Sequence, residues 1–166
     1  NCHVSGALNA TGTSVIKQTD AGGLVGINDG GSKEGKSAFS MIDRCTSSVE
    51  VTASTGSADN TESGHVGGLV GWNKGNISQC EATGNVFGGN STGGFVGSNY
   101  GNASIYRSHA AGNVVGGYTT GGFAGSIGMG TSVERCYAAG NVVAIEDGYG
   151  YYFGGFAGSV SGTVKE

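Results

Sequence analysis

The stretch GGLVGWNKGNISQCEATGNV, residues 67–86, decides how this chain folds. Its opening word, Gly-Gly-[Leu/Phe]-[Val/Ala]-Gly, returns at residues 22–26, 67–71, 93–97, 121–125 and 154–158, with starts 45, 26, 28 and 33 residues apart. A word repeated at such a period marks a repeat architecture. Each unit is too small to bury its own apolar face, so neighbours must stack. The remainder repeats in step. Ile42 and Cys45 align with Ile77 and Cys80, Ile105 and Ser108, and Val133 and Cys136. Segments 80–86, 108–114 and 136–142 each read [Cys/Ser]-x-Ala-x-Gly-Asn-Val. Segment 45–51 is a looser copy, and segment 2–8 reads as the tail of a further unit whose front is missing.

Within each copy the Cys, Ala and Val positions fall two or four apart, the period of strands with one buried face. The runs are short and stop at Gly or Gly-Asn. No helical period is present, and so much glycine opposes helix. The reading is all-β, with roughly three short strands per repeat. A propeller blade needs four strands and ~40 residues or more, too long for the repeats of 26 and 28. The ~18-residue triangular spacing of a left-handed hexapeptide coil is not found. The expected fold is a right-handed parallel β-helix of about five coils, ~28 residues each with loop insertions, forming a stack ~25 Å long. Residues 1–166 make one such domain. The chain opens at Asn1 and Cys2 without a Met, so it is expected to be a fragment of a longer protein.

Composition agrees. Glycine is 36 of 166 residues, about three times ordinary usage, and proline is absent. Collagen and flexible linkers are excluded, because apolar residues return at fixed offsets from the glycines. Those glycines read as turns and tight corners. The formal net charge is −4 with 8 Lys+Arg, which argues against nucleic acid and anionic membrane surfaces. No run of 18 apolar residues exists, so membrane insertion is not expected.

Stacking predicts columns. Leu24, Leu69, Phe95, Phe123 and Phe156 form an apolar column opposite a thin wall of Ala82, Ala110 and Ala138. Asn85, Asn113 and Asn141 are expected to form an amide ladder at a corner. Asn28, Asn73 and Asn99 follow the glycine word in its first three copies, and Ile127 and Val160 replace them. Cys2, Cys45, Cys80 and Cys136 share one position, held by Ser108 in the remaining repeat, and read as buried thiols in a core column. Bridges Cys2–Cys45 or Cys45–Cys80 stay within reach, while Cys80 and Cys136 are separated by the Ser108 rung.

Catalytic signals are weak. His3 and His109 follow the Cys position and point outward in a column with Thr46, Glu81 and Tyr137. There is no His-Glu-x-x-His, no Cys-x-x-Cys and no nucleophile elbow. The cluster at Gly128-Met129-Gly130 lacks the Lys-[Ser/Thr] and helix of a phosphate loop. Glu50, Glu81 and Glu134 do not share one outward face as paired glycosidase carboxylates would. No cofactor or metal is expected, and the chain reads as a non-enzyme. The insertions, residues 54–63 and 146–153, leave one edge of the stack, where repeat proteins carry binding loops. Tyr149, Tyr151, Tyr152 and Phe153 lie in the second. They suit contact with a sugar or protein partner, or equally a cover over the open end of the stack.

The string at residues 67–86 resembles the GLUG-motif repeat of large bacterial surface proteins, including the N-terminal region of immunoglobulin-A-specific zinc metallopeptidases and adhesin-like proteins. The resemblance covers nearly the whole chain and is loosest before Gly22 and across residues 33–41. It implies an extracellular module at the bacterial cell surface and carries no catalytic residue; the family's peptidase zinc motif is missing here. The leading expectation is a structural and adhesive module displaying loops to a host or matrix protein or glycan. The alternatives are a filament subunit that associates end to end and a polysaccharide-cleaving β-helix enzyme.

Overall fold

The computed structural model describes residues 1–11, 18–30, 32–33, 36–37, 40–54, 64–145 and 152–166. Every regular element among them is a β-strand. Four parallel sheets run along the stack, each taking strands from successive repeats. Sheet I is built around Thr46–Ser54. His3–Thr11 pairs along its whole length, and Glu81–Ala82 and Val86–Phe87 both pair with it. Sheet II stacks Asp20–Gly22, His65–Gly67, Ser91–Gly93, Thr119–Gly121 and Tyr152–Gly154. Sheet III stacks Val25–Asn28, Val70–Asn73, Val96–Asn99, Ala124–Ile127 and Ala157–Val160. Sheet IV stacks Met41–Asp43, Asn76–Ser78, Ser104–Tyr106, Ser132–Glu134 and Thr163–Lys165. The single antiparallel pair among the described residues, Ser32–Lys33 with Lys36–Ser37, lies inside the longest repeat, where the glycine word is 45 residues from its next copy.

A repeat thus holds up to five short strands rather than the three expected. The extra division falls in Sheet I, where one nine-residue strand gives way to two short ones in later repeats. Gly84 causes the break. A Cβ there would strike the carbonyl of Val49, as one at Gly112 would strike Gly84 and one at Gly140 would strike Gly112. Backbones of successive repeats pass too closely at this bend for any side chain.

The core follows the columns. Leu69, Phe95 and Phe123 are fully buried, with Leu24 and Phe156 packed partly buried against the same cluster. The rings of Phe95 and Phe123 stack with centroids 4.7 Å apart, and those of Phe123 and Phe156 with centroids 5.0 Å apart. Each such pair adds ~0.5–1.5 kcal/mol beyond area burial. Ala82, Ala110 and Ala138 face the second glycine of the word: a Cβ on Gly68, Gly94 or Gly122 would lie 3.1–3.2 Å from the alanine methyl. The thin wall and the missing side chain are one packing solution.

The corner between Sheets IV and I is made by residues with left-handed backbone, yet none is glycine. Arg44, Gln79, Arg107 and Arg135 have φ of 52°, 53°, 46° and 54°. Each conformation costs about 1–2 kcal/mol. In return the amides donate to Ser78, Tyr106, Glu134 and Lys165 carbonyls at 3.0 Å, carrying the ladder round the corner. The thiol column follows at once. All four cysteines are free; Cys45 and Cys80 are buried as expected, Cys136 is half-buried, and Cys2, in the first rung, is exposed rather than buried. Cys45, Cys80 and Cys136 are also hydrogen-bonded. Each side chain donates to the carbonyl two residues before it, over 3.3 Å for Cys45, 3.1 Å for Cys80, 3.0 Å for Ser108 and 3.3 Å for Cys136. Each of two also accepts an amide from the preceding repeat: Cys45 N donates to Cys80 Sγ and Cys80 N to Ser108 Oγ. The column is therefore more than a set of small hydrophobes, and serine satisfies the same bonds.

The expected asparagine column is present, but its side chains bond along the stack to backbone rather than to one another. Asn85 Oδ1 accepts from the backbone N–H of Asn113, and Asn113 Oδ1 from that of Asn141, both at 3.0 Å. The side-chain ladder is the other asparagine column. Asn28 Nδ2 donates to Asn73 Oδ1 (2.6 Å) and Asn73 Nδ2 to Asn99 Oδ1 (2.7 Å), all three buried. It stops where Ile127 takes over, leaving Asn99 Nδ2 without a hydrogen-bond partner among the described residues.

Candidate functional site

The third glycine of the word brings Sheets II and III together. A Cβ on Gly71 would meet Ala21 N and His65 O at 2.8 Å, and one on Gly158 would meet Thr120 N at 2.6 Å. Ser91 Oγ donates to Gly97 O across the same junction (2.8 Å). The two sheets therefore fold toward each other on their outer faces. At a convex corner outward side chains diverge; here His65 of Sheet II and Trp72 of Sheet III stack with centroids 5.3 Å apart. The glycine word makes a cleft running along the stack, with Leu69 pointing inward behind it.

Two columns line the cleft. Register sets Asp20, His65, Ser91, Thr119 and Tyr152 in line on Sheet II, and Ile27, Trp72, Ser98, Ser126 and Ser159 on Sheet III. Large side chains fill the cleft at His65 and Trp72. The next two repeats carry Ser91, Ser98, Thr119 and Ser126, and there a pocket of about 360 Å³ opens. Tyr100 and Tyr118 stand at its lips and Asn90 beside them. Tyr152 follows Thr119 in register, and its ring meets Tyr118 edge-on at 5.9 Å.

The end wall is rigid. His65 Nδ1 is 2.6 Å from Asp20 Oδ1, and Gln18 Nε2 donates to the other Asp20 oxygen (2.9 Å). Lys74 Nζ covers the Trp72 ring at 4.1 Å from its centroid and reaches Asp29 at 3.0 Å. Asp20, His65 and Ser91 follow one another in register, an order suggestive of a nucleophile triad. However, the Ser91 hydroxyl donates to Gly97 O and shares no hydrogen bond with His65. The arrangement is a walled pocket with a hydroxyl floor.

The residues singled out from sequence fall elsewhere or on its margin. Tyr149 and Tyr151 lie outside the described residues, as do Glu146, Asp147 and most of the insertion at 54–63. Tyr152 and Phe153 take opposite faces of their strand: Tyr152 registers with Thr119 at the pocket, and Phe153 with the fully buried Thr120. Phe153 thus extends an inward column at the end of the stack. The outward histidine column is a chain of contacts: His3 with Thr46, Glu81 with His109 at 3.1 Å, and His109 stacked on Tyr137 at 4.7 Å. Glu134 Oε1 lies 3.9 Å from Arg135 Nε. No three of His, Cys, Asp and Glu gather as a metal site among the described residues. Sequence reasoning missed the cleft by taking the third glycine as part of a turn. The usable signal was glycine held at one strand position through five copies, which marks close backbone approach, beside a column that changes from Trp72 to serine.

Residues 62–86 and 88–115 match the family model of the GLUG motif. No curated protein and no solved structure matches the chain. The first matched segment spans His65, Trp72 and Lys74, and the second spans Ser91, Ser98 and Tyr100. Over those two segments the chain carries the GLUG-motif repeat.

Proposed function

We propose that the chain is a structural and adhesive module of an extracellular bacterial surface protein, a right-handed stack of about five turns that holds variable loops on a stiff frame. GLUG repeats support a surface-protein module. The observation that carries the reading is where the insertions leave. Residues 12–17, 55–63 and 146–151 all join a Sheet I strand to a Sheet II strand, while the strands on either side keep their register. Most of the variation falls at this seam; one further insertion, carrying the Ser32–Lys33 and Lys36–Ser37 pair, lies between Sheets III and IV, and the ladders absorb neither. The role is binding and support rather than catalysis.

The test is an array of host matrix proteins and glycans probed with the 166-residue chain and with a Tyr149→Ala/Tyr151→Ala variant. The expected result is a ligand whose affinity falls about tenfold or more in the variant, with an unchanged unfolding midpoint. No ligand, or one indifferent to the change, overturns the adhesive reading.

End-to-end association is a second reading with its own support. The described strands at the C-terminal end pair on one side only, and Tyr152, Phe153, Val160 and Val164 are exposed there. Unpaired strand edges beside apolar side chains template further pairing. Sedimentation velocity would show long polymers if this holds and a single monomer boundary if it does not.

A further inference from the structure

We propose that the pocket between Sheets II and III binds a neutral sugar ring, a function of the frame itself and independent of the displayed loops. Size is the first argument. About 360 Å³ falls within the ~300–1,000 Å³ of small-molecule sites. It arises where Ser91, Ser98, Thr119 and Ser126 replace the bulk of His65 and Trp72 in the same two columns.

Lining chemistry is the second. A pyranose offers apolar C–H faces and a rim of hydroxyls. It needs an aromatic surface for the first and groups that both donate and accept for the second. Tyr100 and Tyr118 supply exposed rings at the lips, each an apolar body with a polar tip. The Ser98 and Ser126 hydroxyls of the floor donate and accept by rotation, while Thr119, whose proton goes to Asn90 O, accepts. Ser91, whose proton goes to Gly97 O, still accepts. Trp72 acts as a wall and not as a stacking platform, because His65 takes one interaction with its ring and Lys74 another.

Charge is the third. Among the described residues no Lys, Arg, Asp or Glu lines the pocket. His65 is committed through Nδ1 to Asp20, and the nearby Lys74 is held by Asp29. A phosphate or uronate would find no counter-charge, and an ammonium group no carboxylate, so the chemistry favours an uncharged polyol ring.

Trp72 is the only tryptophan in the chain, so its fluorescence reports on the pocket wall directly. The 166-residue chain is titrated with methyl glycosides of glucose, galactose, mannose and N-acetylglucosamine, with the corresponding neutral trisaccharides, and with galacturonate as the charged counterpart. We expect a saturable change with at least one neutral sugar and about tenfold weaker response to galacturonate. Ser98→Phe fills the pocket from Sheet III, and Tyr100→Ala removes an exposed lip ring without touching the core. Each should weaken binding about tenfold or more, with the circular dichroism spectrum of the parent. If Ser98→Phe fails to fold, Tyr100→Ala alone decides. No saturable response to any neutral sugar, a preference for galacturonate, or binding unchanged by Tyr100→Ala overturns the proposal. Ser98 and Tyr100 are remote in sequence from the insertions, so this site and the displayed loops can fail separately.

Discussion

The Cys80 thiol is enclosed by its own repeat and the preceding one. Burial pushes it up from 9.0 to about 11, and burial likewise raises Cys136. Such thiols stay protonated and unreactive near neutral pH. The shift has a direction in stability. Below pH ~9 the Cys80 thiol is protonated in both folded and unfolded chains and adds no pH dependence. Between pH ~9 and ~11 only the unfolded chain releases the proton, so the folded state loses stability as pH rises, by about 2–3 kcal/mol in all. Urea unfolding at pH 8 and pH 11 should show that extra loss in the parent and not in Cys80→Ser, which keeps the hydrogen bonds Ser108 already makes. Equal losses in both proteins would place the titrating group elsewhere. The shared position of these cysteines was legible in the sequence, because stacking turns a period into a column. Their hydrogen bonds were not, since spacing says nothing about which backbone group lies within reach.

At the level of strands and corners, glycine does a different task from the one composition suggested. Among the described glycines positive φ occurs at Gly6, Gly101 and Gly130, and none of these belongs to the repeated word. The left-handed corners went to Arg44, Gln79, Arg107 and Arg135. The glycines of the word serve close approach, and the last repeat supplies the control. A Cβ at Gly94 would run into the Gly122 carbonyl oxygen, whereas at Gly155, the same position of the word, nothing lies within 4 Å. Gly94→Ala should therefore lose about 3 kcal/mol or more, and Gly155→Ala should stay within about 0.5 kcal/mol of the parent, both by denaturant midpoint. Similar losses would mean that the glycines act through chain flexibility. The same distinction limits what could be read in advance. Five copies of a glycine announce that something comes near, but only the folded chain reveals that it is the neighbouring sheet, and hence a cleft.

For the molecule as a whole, each repeat touches mainly its neighbours, so stability should add along the stack. A chain ending at Ile145 would lack Tyr152–Gly154, Ala157–Val160 and Thr163–Lys165 and would uncover Phe123. It should still fold, unfold at lower urea, and show a smaller m-value in proportion to the area lost. Complete loss of structure would reveal coupling beyond adjacent repeats. Parallel stacking and the all-β class were legible from the repeated word alone, since no other arrangement lines up Ile42, Ile77, Ile105 and Val133. The pocket was not, because it depends on which two outward columns the cleft brings face to face.

The asparagines at 28, 73 and 99 hand their protons on in one direction, each toward the C-terminal side. A file of donors and acceptors oriented this way always has one amide NH2 left over at its last member, whether it has three members or ten. Here that surplus is Asn99 Nδ2. The penalty of stranding one buried amide group is thus constant, about 1–3 kcal/mol, while every additional member brings another bond. Duplicating an asparagine-bearing unit lengthens the file at no further penalty, so such a chain gains more from copying a repeat intact than from scattering the same residues among unlike ones.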